Sequence, residues 1–202
     1  MLGAVILAGG RASRLDNIAK PWLHRGGTTL LQRTVDAART AGAARPIVVG
    51  PPLEPLPAEV TWLREDPPFG GPAAAVVAAL AALDPTAEWT LVLASDLRDP
   101  HAAVSRLVAD LALVPADTDG ICLGDARSRP QWLTGVYRTR ALRRAAEDIP
   151  DAGRDQPIRI LLDDLALAVF RADDEVVADV DTWDDVKAAG LEPPHPRSEE
   201  TP

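Results

Sequence analysis

Ala4-Val5-Ile6-Leu7 is apolar at every position, starts almost at the first residue and runs into Gly9-Gly10. A short run of this kind reads as a strand buried on both faces, as in parallel sheets with helices on either side. This limits the fold more than any other feature, because a strand without a wet face needs a covering layer above and below it. The glycine pair lets the chain turn without a Cβ penalty. About a dozen polar, irregular residues follow, including Arg11, Arg14 and Lys20. Thr28-Thr29 then opens a helix with Leu30-Leu31, Val35 and Ala38 at helical spacing. A basic loop hung from the end of a buried strand suits a phosphate chain, since N–H groups and cations can converge on several oxygens. The other reading is an ordinary surface loop with solvated arginines. The spacing is neither Gly-x-x-x-x-Gly-Lys-Ser/Thr nor Gly-x-Gly-x-x-Gly, so both familiar phosphate fingerprints are excluded.

Strands and helices alternate through the first half. After the helix at 29–42, strands are expected at 45–50, 61–64 and 88–94, and helices at 73–83 and from Pro100 to Leu113. This alternation predicts a doubly wound, mainly parallel α/β sheet with its ligand at the carboxyl ends of the strands. Both the 8–20 loop and Asp96 fall at such ends and should share one crevice. The second half is less regular. Strands are expected at 119–124, 131–138, 167–170 and 176–178, and helices at 139–148, 157–165 and from Asp181 or Thr182 onward. Residues 1–191 are expected to form one domain, divided near residue 115 into halves of 1–115 and 116–191. Residues 192–202 read as a tail with nothing to bury and are expected to be flexible.

Composition narrows the function. The 202 residues carry a net charge of −9, which argues against a nucleic-acid partner. The charge is unevenly spread. Residues 1–45 are net basic, 126–146 hold six arginines and no acid, and the remainder to the C-terminus is strongly acidic. Two basic islands on an acidic protein can steer a small multiply charged anion, although the second island can equally reflect abundant surface arginine. No apolar run is long enough for a membrane span and no leader pattern is present, so a cytoplasmic protein is expected. Cys122, the single cysteine, sits in an apolar setting as a buried, inert thiol. His24, His101 and His195 have no zinc-like spacing.

Asp96 closes an apolar strand, where a carboxylate is costly unless a cation or donor meets it. One or two carboxylates plus substrate phosphates suffice to hold Mg²⁺. Asp96 can alternatively cap the helix that begins at Pro100, and Asp181 can be a plain helix cap. In a regular strand the odd spacing of Trp132 and Tyr137 puts them on opposite faces, so at most one is free to stack on a ring.

The stretch Leu7-Ala8-Gly9-Gly10-Arg11-Ala12-Ser13-Arg14-Leu15 through Lys20-Pro21 resembles the signature loop of nucleotidyltransferases related to molybdenum cofactor guanylyltransferase. The departures are Asp16 where the family has glycine, Ala19 where it has an acid, and Arg98 for proline after Asp96-Leu97. Asp66 with Gly70-Gly71-Pro72 resembles the family's nucleoside-contacting element. Arg129-Pro130-Gln131 through Tyr137 is similar to its acceptor segment, and Asp179-Val180-Asp181-Thr182 to its C-terminal metal element. The resemblance implies a nucleotide-diphospho-sugar-transferase-like, Rossmann-type fold with a mixed sheet. It implies catalytic roles for Arg14, Lys20 and Asp96, and Mg²⁺ on Asp96 and Asp181. Nucleotide binding falls to Leu7, Ala8, Gly9, Gly10, Arg11, Lys20, Asp66, Gly71, Pro72 and Asp96, and acceptor binding to Arg129, Gln131 and Tyr137. The implied reaction transfers GMP from GTP to the terminal phosphate of molybdopterin and releases pyrophosphate. The implied protein is a monomer in transient contact with molybdoenzyme maturation proteins. The alternatives are a non-catalytic nucleotide-binding relative, or a transferase using CTP or a sugar-phosphate acceptor.

Overall fold

The computed structural model describes residues 1–9, 15, 18–52 and 59–194. In chain order the strands are β1 (Leu2–Leu7), β2 (His24–Arg25), β3 (Thr28–Thr29), β4 (Ile47–Val49), β5 (Thr61–Leu63), β6 (Trp89–Ala94), β7 (Gly120–Gly124), β8 (Pro130–Arg138) and β9 (Leu167–Arg171). The helices are α1 (Leu30–Thr40), α2 (Gly71–Ala82), α3 (Pro100–Leu111), α4 (Thr139–Asp148), α5 (Asp174–Val177) and α6 (Trp183–Ala188).

Seven strands form one sheet in the order β5-β4-β1-β6-β8-β7-β9. β5, β4, β1 and β6 are mutually parallel, β8 is antiparallel to both neighbours, and β9 runs parallel to β7. β1 lies between β4 and β6, in register from Leu2 opposite Trp89 to Leu7 opposite Ala94. Its alternating side chains feed two different cores, as the apolar run requires. Ala4 and Ile6 pack with Val48, Leu91 and Leu93 and with α1 and α3, while Val5 and Leu7 pack with Ile47, Val49 and Val92 and with α2.

Caps define the helix starts. The Thr29 hydroxyl accepts the Gln32 N–H at 3.1 Å while the Gln32 side chain accepts the Thr29 N–H at 3.0 Å. This reciprocal box starts α1 where the sequence places it. Just before it, Gly26 and Gly27, with φ of +59° and +79°, close the β2–β3 hairpin.

Two elements differ from expectation. Residues 174–177 form the short helix α5 rather than a strand at 176–178, because Asp174 and Glu175 suit a helix N-terminus and Val177 is buried. The 157–165 helix contracts to a 3₁₀ turn at Ile158–Leu161, where Asp163 and Asp164 are unfavourable at a helix C-terminus. A third difference is in β8. Cys122 pairs with Gly135 but Leu123 with Gln131, so residues 132–134 have no partner on β7. That irregularity defeats simple alternation: fully buried Tyr137 and half-buried Trp132 pack into the same core. The Tyr137 hydroxyl donates to the Trp132 carbonyl at 2.8 Å.

Candidate functional site

The carboxyl ends of β1, β4 and β6 meet through backbone contacts. The Ala8 N–H donates to the Val49 carbonyl at 2.8 Å, and the Ser95 N–H to the Leu7 carbonyl at 3.1 Å. Gly50 follows β4 so closely that a Cβ there would lie 2.8 Å from the Ala8 carbonyl. Above these ends opens a cleft of ≈ 620 Å³, a size suited to a nucleotide-scale ligand. Its walls include Leu7, Ala8, Gly9, Ala19, Lys20, Gly71, Pro72, Ser95 and Asp96. Gly10, Arg11, Arg14 and Asp16 lie outside the described residues. Asp66 is exposed and does not line the cleft, whereas its neighbours Arg64 and Glu65 do, together with Phe69.

Neither Asp96 nor Asp181 is a helix cap. Asp99 caps α3, accepting the Ala102 N–H at 3.1 Å. Thr182 caps α6, with Asp185 closing the reciprocal box by accepting the Thr182 N–H at 2.8 Å. Asp96 and Asp181 instead converge on Lys20. Its ammonium lies 3.0 Å from Asp96 Oδ2 and also donates to Asp181 Oδ1. Burial works against the lysine charge, but the Asp181 hydrogen bond and then Asp96 outweigh it, so its pKa is raised.

This convergence has a visible cause. Residues 178–180 are stitched antiparallel to 96–98: the Arg98 N–H donates to the Ala178 carbonyl and the Val180 N–H to the Asp96 carbonyl, each at 2.9 Å, with Leu97 opposite Asp179. Proline at 98 could not donate the first of these bonds. The Arg98 guanidinium adds a bond to the Ala188 carbonyl at 3.1 Å. A separate small core of Leu15, Leu23, Leu30, Val180, Val186, Ala189 and Leu191 fastens the segment after Lys20 to α6. Asp179 stands beside the pair. Its carboxyl, open to solvent on one side, is pushed up to about 7 by the packing on the other side and by Asp96 and Asp181, against the pull of Lys20.

A second cleft of ≈ 580 Å³ begins at Asp181 and Asp179 and is lined by Asp125, Arg127, Arg129 and Gln131. Arg129 is held at its entrance by Asp125, which accepts the arginine Nε–H at 2.6 Å and its backbone N–H at 2.9 Å. Of the three expected acceptor residues, Arg129 and Gln131 line this cleft. Tyr137 does not. It is fully buried, and its ring occupies the space left by Gly120 and Gly135, where a Cβ would lie within 2.6 Å of the ring and 2.4 Å of the hydroxyl respectively. The ion pair therefore marks the junction of the two clefts, with Asp96 in one and Asp181 in the other.

Among the described residues, no group of three or more His, Cys, Asp or Glu side chains could cage a metal. Two carboxylates already gathered around one cation do fit a divalent ion that takes its remaining ligands from phosphates and water. Arg64, Glu65 and Phe69 carry no site signal in the sequence, and Asp179 has one only as the first residue of the segment that resembles the family's metal element. The turn after β5 and the stitch between 96–98 and 178–180 bring them to the site, and neither leaves a periodic signal.

A MobA-like NTP transferase domain profile matches residues 4–168. The bifunctional protein GlmU of Xanthobacter autotrophicus is 37% identical over 135 residues, 57% of this chain, and the chain spans only 30% of that relative's length. A probable molybdenum cofactor guanylyltransferase of Synechococcus elongatus is 36% identical over 148 residues, covering 67% of this chain and 71% of the relative. The crystal structure of Rv0371c from Mycobacterium tuberculosis superposes with a TM-score of 0.67 at 22% identity, over 93% of this chain and 97% of that one. A second structure of that mycobacterial protein is a complex with manganese, with a TM-score of 0.61 at 21% identity over 93% and 97% of the two chains. The profile match over most of the chain and the sheet that carries it give one conclusion: this chain belongs to the MobA-like NTP transferase family.

Proposed function

We propose that the chain transfers GMP from GTP to the terminal phosphate of molybdopterin, with release of pyrophosphate and dependence on Mg²⁺. The observation that carries this reading is the Lys20 bridge, which sets one carboxylate in each of two adjoining clefts. A transfer between two anionic substrates needs such a junction, with both reacting phosphates held against one centre of positive charge. Residues 1–115 supply most of the larger cleft and residues 116–191 the smaller, although Leu133 and Asp155 reach across into the first.

In the reaction an oxygen of the acceptor phosphate attacks the α-phosphorus of the triphosphate. The bond from the α-phosphorus to the bridging oxygen breaks, and pyrophosphate leaves with that electron pair. The attacking phosphate monoester is already ionised, so no side chain has to remove a proton. Asp96 and Asp181 would hold Mg²⁺, which supplies neutralisation of charge on the triphosphate. Lys20, released from the two carboxylates, exchanges them for phosphate oxygens, and Arg14 joins it from the opening loop. Leu7, Ala8, Gly9, Gly71 and Pro72 bring backbone against the nucleoside. Arg129 and Gln131 receive the acceptor. The Synechococcus relative's name supports the guanylyl and molybdopterin assignment, and the manganese complex supports a divalent ion.

Pyrophosphate release measured with each of the four nucleoside triphosphates, with and without molybdopterin, tests the assignment. Release confined to GTP plus molybdopterin is expected. Release from CTP, or with a sugar phosphate as acceptor, would replace the substrates. Nucleotide binding without release under any pairing would sink the catalytic reading.

A further inference from the structure

Between β5 and α2 the chain exposes an aromatic side chain that its own packing does not account for. Phe69 is 57% exposed, so it contributes little to the core. Its backbone holds φ at +66°, an unfavourable conformation for a bulky residue. Two neighbours keep it there. The Phe69 N–H donates to Glu65 Oε1 at 2.9 Å, and the Arg64 guanidinium lies over the ring, 4.9 Å from its centroid. All three residues line the larger cleft, the one that also contains Lys20 and Asp96.

A ring covered by a cation on one face and open on the other is a platform for a second planar group. Stacking of a nucleobase on such a ring contributes materially to affinity, and Arg adds a cation–π component. Phosphates in the same cleft are met by charge, whereas Phe69 offers no charge and no hydrogen bond, only an apolar face. Its natural complement is the flat, uncharged end of a nucleotide. We propose that Phe69, backed by Arg64, is the stacking platform for the nucleobase, and that Glu65 is a positioning residue that fixes its backbone. This rests on the reading of the larger cleft as the nucleotide site. Since every base has a π-face, the platform supplies affinity for nucleosides in general, and purines, with the larger overlap, benefit most.

Calorimetric titration in Mg²⁺ with GTP, CTP and inorganic tripolyphosphate tests this on the wild type and on Phe69→Leu, Phe69→Trp and Glu65→Ala. Phe69→Leu should weaken GTP by about 10-fold and CTP by less, leaving tripolyphosphate unchanged. Phe69→Trp should keep or tighten GTP binding, and Glu65→Ala should share the GTP loss without touching tripolyphosphate. A Phe69→Leu protein that binds GTP as the wild type does overturns the platform, as does an equal loss for tripolyphosphate. In both of those cases wild-type nucleotide binding persists, so the proposed function survives. A wild type that binds none of the three ligands overturns both.

Discussion

Lys20 holds two carboxylates that lie 76 and 161 positions further along the chain, and each partner is only partly exposed. Removing the charge from either carboxylate should therefore disturb chemistry more than folding. Asp96→Asn and Asp181→Asn are each expected to lower pyrophosphate release by about 100-fold or more while the circular-dichroism melt stays near that of the wild type. An Asp181→Asn enzyme within a few-fold of normal turnover would remove Asp181 from the centre. Cys122 makes a contrasting case. Burial pushes its thiol up to about 12, and the residue is fully enclosed. Iodoacetamide should leave the native protein unlabelled and modify it stoichiometrically only in denaturant, as read by mass spectrometry. The sequence already marked Lys20 and Asp96 as candidates, because charge at the end of an apolar strand and in a basic loop is conspicuous, whereas Asp181 was marked only through its likeness to the family's C-terminal metal element. It could not show that Glu65 rather than Asp66 faces the cleft, since which of two adjacent acids points inward depends on the path of the turn.

At the level of elements, β8 and the loop before it carry the sharpest expectations. Tyr137 fits only because Gly120 and Gly135 lack side chains beside its ring. Gly135→Ala should force the ring aside and lower stability by about 1–3 kcal/mol in a urea melt, with catalysis at saturating substrate little changed. Asp125 anchors the turn that carries Arg129. The backbone hydrogen bond from the Arg129 N–H, then its guanidinium and the Arg127 N–H, hold the carboxyl below its ordinary pKa despite some desolvation. Because the native pKa lies below the unfolded one, this contribution to stability is fully present above the ordinary carboxylate range. It is lost as the pH falls through the native value. Asp125→Asn should thus be less stable than the wild type at neutral pH, with the gap closing in strong acid. A gap that stayed constant with pH would show that charge is not what the turn uses. The sequence located α4 well, since a strongly amphipathic helix carries a clear period, and it placed β8 from its length and strand-forming residues although the strand does not alternate. It misjudged residues 176–178, where two valines suit a strand as readily as a single buried turn, and packing decided between them.

For the whole molecule, Lys20 already bridges the two carboxylates and offsets half of their charge without any added ion, so the fold should not depend on metal. Chelation with EDTA is expected to abolish turnover while leaving Tm unchanged, and Mg²⁺ with GTP together should raise Tm by mass action. A large drop in Tm on chelation would assign the metal a structural role. Apolar runs at β1, β4 and β6 and the helices between them determined the parallel half of the sheet, because burial on two faces leaves a local pattern in the residues themselves. The same runs placed the opening loop and Asp96 at neighbouring strand ends. Tertiary structure alone decided how the second half answers them. Two backbone bonds lay residues 178–180 against 96–98, and a small separate core ties α6 to the segment after Lys20. Neither has a period, since contacts between distant segments are set by how the finished layers pack and not by the order of neighbouring side chains.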